Sequence, residues 1–268
     1  MPYWFIPLLS LILSSTSQAT VWEKMTSPTN ANSESIGSYA NGCLEGAVPL
    51  PLESEGYQVV RSERGRYYAH PKTVSFIQDL GKLSSQKINK QLLIADISLA
   101  KGGRFAHGHS SHQTGLDIDI WLKLLNKKLT KKQLAEPYSI SLVDKNSFTI
   151  REKHWQDAHF ELIKSTAKDE RVARIFVNSV IKEKLCALEK NDDSWLRKVR
   201  PWWGHSAHMH VRLQCPKDDK SCIKQPEIKE GSGCGYEVES WRLKPTAPKK
   251  KAPAKVIPKQ CSMMLMKK

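Results

Sequence analysis

HMHVRL, residues 208–213, alternates polar and apolar side chains, the period-2 pattern of a half-buried β-strand. In such a strand His208, His210 and Arg212 project from one face, while Met209, Val211 and Leu213 turn toward a core. The end of GHSSHQTGLDIDI, residues 108–120, obeys the same rule: Leu116, Ile118 and Ile120 alternate with Asp117 and Asp119, so both carboxylates share one strand face. Just before this second strand, His109 and His112 occupy a glycine- and serine-flanked loop, and Gly115 permits a tight backbone path that could fold a histidine back toward Asp119.

Imidazole nitrogens and a carboxylate oxygen are what Zn²⁺ prefers, and a hydrolytic site takes three protein ligands and keeps one position for water. The two segments together supply such a set, with one histidine of the H-x-H strand free to handle protons while its neighbour binds metal. Either segment alone is equally well read as the wet side of a sheet with ordinary histidines; their co-occurrence favours a metal site. Only one of Asp117 and Asp119 is needed as a ligand. HExxH is absent, so a zinc site on a single helix is not supported.

Residues 3–13 form a short apolar run followed by small and polar residues, and Ser17-Gln18-Ala19 fits a small-x-small cleavage site. No Lys or Arg precedes the run, a departure from the standard leader. The expectation is a signal peptide over 1–19, an enzymatic domain over 20–243, and a basic Pro/Lys-rich tail over 244–268. Six cysteines lie beyond the cleavage site, an even number that suits three disulfides in an oxidising compartment. Cys215 and Cys222 bracket a polar loop where a local bridge is plausible, and no CxxC pair suggests thiolate ligation. The net charge of +15 favours an anionic partner. Nucleic acid is one such partner, but the basic residues are spread along the chain and many sit in the tail.

Elsewhere the pattern is mixed. Residues 91–98 (QLLIADIS) and 174–178 (RIFVN) read as buried strands, and 73–83, 155–167 and 181–188 have helical spacing of apolar residues. Strands separated mostly by irregular polar loops predict a single α+β domain with a central antiparallel sheet, flanking helices and long loops, rather than a regular βαβ array.

The chain resembles the penicillin-insensitive murein endopeptidases, zinc peptidases whose fold is shared with lysostaphin-type enzymes, D-Ala-D-Ala carboxypeptidases and the hedgehog signalling domain. The likeness is carried by SIGSYANGC (35–43), YQVVRSERGRYYAHP (57–71), GGRFAHGHSSHQTGLDIDI (102–120), RIFVNSVIKEKLC (174–186) and WLRKVRPWWGHSAHMHVRLQCP (195–216). It implies that His112, Asp119 and His210 bind the catalytic zinc, that His208 is the general base or transition-state stabiliser, and that His205 lines the active site. His109 and Asp144 correspond to positions associated with additional metal binding, although Ser147 stands where a further family histidine is expected. His107 belongs to no family motif. The implied disulfides are Cys43–Cys261, Cys186–Cys234 and Cys215–Cys222.

What the resemblance implies for function is hydrolysis of D-alanyl-diaminopimelate cross-links of peptidoglycan in the periplasm. Arg104, Trp202 and Trp203 are candidates for lining the peptide groove, with packing and surface charge as the competing reading. The oligomeric state is open, a homodimer included. Two other classes compete: a basic secreted metal-dependent nuclease, which would show DNA cleavage and strongly salt-dependent binding, and a catalytically silent murein- or protein-binding domain, which the intact ligand set and His208 disfavour. For the leader, the expected outcome is an exported protein whose first residue, by N-terminal sequencing, is Thr20; cytoplasmic retention would contradict it.

Overall fold

The two alternating segments become long antiparallel neighbours at the centre of one sheet. In the computed structural model, which describes residues 19–242 and 255–266, a hairpin of β1 (Glu34–Ser38) and β2 (Asn41–Glu45) precedes the main strands. These are β3 (Glu53–Ser54), β4 (Tyr57–Val59), β5 (Gln91–Ile94), β6 (Asp117–Leu125), β7 (Val172–Val177), β8 (Val199–Pro201) and β9 (His208–Leu213). Their order in the sheet is β8-β7-β9-β6-β5-β4-β3. The principal helices are α1 (Pro71–Leu83), α2 (Asp157–Lys168), α3 (Ser179–Leu188) and α4 (Lys259–Met266).

The α+β class and the central sheet are as expected, but the sheet is mixed rather than purely antiparallel. β4 runs parallel to β5 and β7 parallel to β8, while the other joins are antiparallel. The reason is connectivity: α1 lies between β4 and β5 in the chain and α3 between β7 and β8, and a helical crossover is what brings a chain back alongside in the same direction. Local alternation, which is identical in parallel and antiparallel half-buried strands, carries no trace of this.

On β9, Met209, Val211 and Leu213 are buried, as are Ile118, Ile120 and Leu122 on β6. They pack with Phe76, Ile77 and Leu80 of α1 and Leu162 and Ile163 of α2 in one core. Each fully buried aliphatic side chain of this kind contributes about 1.5–3 kcal/mol of apolar transfer free energy. The strand expected over 91–98 ends at Ile94 because the chain changes partners. Ala95 and Asp96 still exchange hydrogen bonds with the backbone of Asp119, but Ile97 donates to Arg66 and Ser98 accepts from Tyr68. Helix starts follow local chemistry: Pro71 occupies the first turn of α1, and the Asn178 side chain accepts from Val180 N–H at the start of α3.

Three disulfides form, Cys43–Cys261, Cys186–Cys234 and Cys215–Cys222, the pairs that the resemblance implies. The first ties α4 to β2 across 218 residues, and Cys261 and Met264 join Trp22, Ile36, Leu99 and Phe105 in a second, smaller core. Residues 1–18 of the expected leader and residues 244–254 of the expected tail fall outside the described residues. Among the described residues, no helix is long and apolar enough to cross a membrane.

His159 on α2 illustrates a buried polar group that the fold satisfies in one charge state. Its Nδ1 accepts from Gln156 N–H at 2.9 Å and its Nε2 is 2.8 Å from Leu122 O, so the neutral ring serves both partners. Burial holds its pKa below the ordinary histidine value. The unfolded chain therefore binds more protons just below that value, and stability falls as pH falls through it. We expect His159→Gln to cost about 1–3 kcal/mol near neutral pH and to flatten the loss of stability between about pH 7 and about pH 5. Urea unfolding of both proteins at each pH checks this; parallel pH profiles would refute it.

Candidate metal centre

Cross-strand register brings the two sequence segments together. His210 lies opposite Asp119, Arg212 opposite Asp117 and His208 opposite Trp121, so the ionisable residues of β6 and β9 form one continuous patch on the face away from α1 and α2. The loop before β6 then adds its histidines. His112 is entirely buried and adopts a left-handed backbone, φ 66°, a conformation costly for a non-glycine residue and found where surrounding contacts over-determine it. Here the contact is Asp117, whose Oδ2 accepts from His112 N–H at 3.1 Å. Gly115, φ 71°, completes the turn; a Cβ there would lie 2.8 Å from His70 N.

The ring atoms can be assigned from their partners. His112 Nδ1 is 2.9 Å from the carbonyl of Ile97, which can only accept, so the proton sits on Nδ1 and the lone pair on Nε2. His210 Nε2 lies 3.1 Å from Asp117 Oδ1, an ionic contact outside good hydrogen-bond angles; it still favours the proton on Nε2 and the lone pair on Nδ1. Asp119 Oδ1 is buried without a hydrogen-bond partner. These three acceptors face one another: His112 Nε2 to His210 Nδ1 is 3.1 Å, His112 Nε2 to Asp119 Oδ1 is 3.4 Å, and His210 Nδ1 to Asp119 Oδ1 is 3.2 Å. With both rings neutral, three buried acceptors in mutual contact have no donor among them, an unfavourable arrangement that a cation between them, a proton or a metal ion, relieves. A tetrahedral ion with ligands at about 2.0–2.1 Å has ligand–ligand edges of about 3.3 Å.

The other carboxylate oxygen of Asp119 faces a second pair. His109 Nε2 is 3.3 Å and His208 Nε2 3.6 Å from Asp119 Oδ2. His109, His112 and Asp119 thus also offer ligand atoms within 4.8 Å of one another. His208 Nε2 is buried with no hydrogen-bond partner, and burial lowers its pKa against the opposing pull of Asp119. Burial also opposes charge on His210, but Asp117 and Asp119 outweigh it and raise its pKa. Both carboxyls are held well below their usual range despite burial, Asp117 by Arg212 and His210, Asp119 by His208 and His112.

His205 stands at the rim, half-buried, its ring 4.8 Å from that of His208 and its Nδ1 2.7 Å from Trp203 O. Trp202 and Trp203 are exposed beside it. Arg104 is exposed in the loop before Phe105, and its carbonyl accepts from Thr20. Asp144 does not join the cluster: its carboxylate accepts from Asn146 and Ser147 N–H groups and pairs with Arg151 at 3.5 Å.

Two residues at the centre were not singled out from sequence. Asp96 Oδ2 is 3.4 Å from His109 Nε2 and 3.0 Å from Arg66 Nη1; its signal was a lone acid in an otherwise apolar run. Arg66 in turn stacks over Phe105 and pairs with Glu23.

Residues 35–266 match the family model described as penicillin-insensitive murein endopeptidase. The chain belongs to this family. It is 46% identical over 265 residues to the penicillin-insensitive murein endopeptidase of Escherichia coli (strain 55989 / EAEC), covering 97% of this chain and 96% of that protein. The proteins of the same name from Shigella sonnei (strain Ss046), 47% identical, and Shigella boydii serotype 18, 46% identical, are covered to the same extent. Membership of the penicillin-insensitive murein endopeptidases is thus a property of nearly the whole chain.

Asp117 is the test of the geometry. Asp117→Asn removes the charge that orients His210 and neutralises Arg212, so we expect divalent-metal affinity to fall about 10–100-fold and stability to fall by about 3–5 kcal/mol. Competition with a chromogenic chelator and denaturant unfolding measure the two; unchanged metal affinity would show that Asp117 does not position the ligands.

Proposed function

We propose that this protein is a zinc-dependent murein endopeptidase that hydrolyses D-alanyl-diaminopimelate cross-links. The observation that carries the reading is the triangle of buried acceptors, His112 Nε2, Asp119 Oδ1 and His210 Nδ1, with edges of 3.1–3.4 Å. Two imidazoles and a carboxylate are a zinc donor set rather than a calcium or magnesium one, which would be built of oxygens. His109, 3.3 Å from the other oxygen of Asp119, is the candidate that proximity supports for assisting metal binding; Asp144, engaged with Arg151, is a weaker candidate.

When bound, zinc supplies a Lewis acid that polarises the scissile carbonyl and makes water a competent nucleophile near neutral pH. The chain's own residues supply the rest. Asp117 and Ile97 O fix the ring orientations of His210 and His112. His208 Nε2, buried and without a hydrogen-bond partner, takes or returns a proton at the reacting water. His205 lines the same side. The reaction uses no serine nucleophile, so β-lactams have nothing to acylate. Among substrates, murein is favoured because its peptides carry many carboxylates, to which a chain of +15 charge is attracted. Three disulfides suit the oxidising periplasm, and export on the 1–19 leader completes the proposal.

Digestion of purified murein followed by fragment mass analysis tests the reading. We expect uncross-linked muropeptides, lost on treatment with a chelator and restored by Zn²⁺; cleavage that persists in the metal-free protein would contradict it, and cleavage of DNA instead would favour the nuclease. His208→Ala should retain the metal by elemental analysis while kcat falls about 10²–10⁴-fold. Full activity in a zinc-loaded His208→Ala protein would remove His208 from the proposed chemistry.

A further inference from the structure

A chain of aromatic rings leads outward from the metal centre. His210 is in edge contact with Phe176, centroids 5.4 Å apart; Phe176 meets Trp202 at 5.6 Å; Trp202 meets Trp241 at 6.0 Å; and Trp241 meets Trp203 at 5.1 Å. The tryptophan contacts are tilted, with interplanar angles of 49° and 55°, so no indole face is closed by another lying flat on it. Trp202 is 51% and Trp203 48% exposed, and Trp241 is half-buried. Clustered apolar rings on a surface mark a binding site far more often than scattered ones do.

These rings are also held in place before any ligand arrives. Trp202 N–H donates to Val177 O at 2.8 Å, the His205 ring donates from Nδ1 to Trp203 O at 2.7 Å, and Asn178 Nδ2 donates to Gly204 O at 2.9 Å. The turn carrying Trp202 and Trp203 is thereby pinned to the end of β7, which keeps the ordering cost of binding small. Tyr236, 80% exposed, lies on the short helix just before Trp241.

We propose that Trp202, Trp203 and Trp241 form a platform for the sugar rings of the murein glycan, beside the centre that cuts its peptides. This inference rests on the murein reading above. The face of a pyranose ring that carries axial C–H groups is apolar, flat and positively polarised, so it suits the negative face of an indole, while its hydroxyls remain at the edge for water. The peptide part of murein is rich in carboxylates and amines and offers no comparable flat surface. Trp202 and Trp203, candidates for the peptide groove from sequence, are thus reassigned to the glycan, and Trp241, which follows them by about forty residues, joins them only through the fold. A platform that grips the glycan delivers the attached peptide to His208 at raised effective concentration.

The test uses the full-length, metal-loaded protein and two cross-linked muropeptide dimers with identical peptides, one bearing its disaccharides and one stripped of them. We expect kcat/KM to be about tenfold higher for the sugar-bearing dimer, the factor that one aromatic stacking contact can give. The ratio should fall to near one in Trp241→Ala and in Trp203→Ala and be largely kept in Trp241→Phe. A ratio near one in the unsubstituted protein, or one that both alanine variants leave unaltered, overturns the proposal. If neither dimer is cut, the endopeptidase reading fails separately, and indole fluorescence titrated with a peptide-free N-acetylglucosamine trimer decides the platform: a shift abolished in Trp241→Ala supports it and no shift overturns it. Absence of a sugar response combined with a fluorescence change in the Pro245→Ser, Pro248→Ser double variant would assign the platform to the chain's own Pro/Lys-rich segment instead, which also overturns it.

Discussion

The buried charge of Asp117 is the constraint on which the site depends. Its two oxygens meet Arg212 Nε at 2.7 Å and Nη2 at 3.0 Å, His112 N–H at 3.1 Å and His210 Nε2 at 3.1 Å. One carboxylate therefore links both central strands and the loop before them. A fully buried charge is tolerable only when partners surround it, and here those partners are the backbone of one proposed metal ligand, the ring of another and an arginine that itself stacks over Tyr39 and Phe176. Lose the charge and the cost is shared between stability and geometry, because the same contacts serve both.

Around that hub the site is built in layers of decreasing rigidity. The triangle of proposed ligands lies on adjacent central strands and one strained loop residue, positions that the core on the opposite face holds still. His208 and His205 sit farther out, where burial lessens and rings contact rather than hydrogen-bond one another. Beyond them come the tryptophans, exposed but anchored through their backbone. Such grading suits a peptidase acting on a large, rigid polymer: the chemistry requires atoms fixed to a few tenths of an ångström, whereas recognition of a repeating substrate needs area and an open approach.

Much of this was legible in the residues. Period-2 alternation located β6 and β9 and their faces, and apolar spacing located α1, α2 and α3 to within about two residues, the usual scatter of helix ends. What alternation could not give was strand direction, so the parallel joins of β4 with β5 and β7 with β8 were missed. The reading also treated Asp117 as the spare member of a pair. Both aspartates share one strand face and differ by a single repeat, and nothing local distinguishes the one that faces the proposed ion from the one that orients its ligands. Asp96 escaped notice for a related reason: its neighbours made the segment look uniformly apolar, and its partners, Arg66 and His109, come from elsewhere in the chain.

Residue type and local period are properties of a few consecutive side chains, and these the sequence determined by itself: which strands are half-buried, which faces carry imidazole and carboxylate, and hence that metal chemistry was in view. Convergence is a property of the folded chain. His112 meets His210 across 98 residues, Asp117 meets Arg212 across 95, and Trp241 reaches Trp202 from the far side of the Cys215–Cys222 loop. Which oxygen faces which nitrogen depends on register between strands and on one left-handed residue at the end of a loop. Only the tertiary structure decided it, because contacts at such separations are selected by the packing of the whole core rather than by any neighbour in sequence.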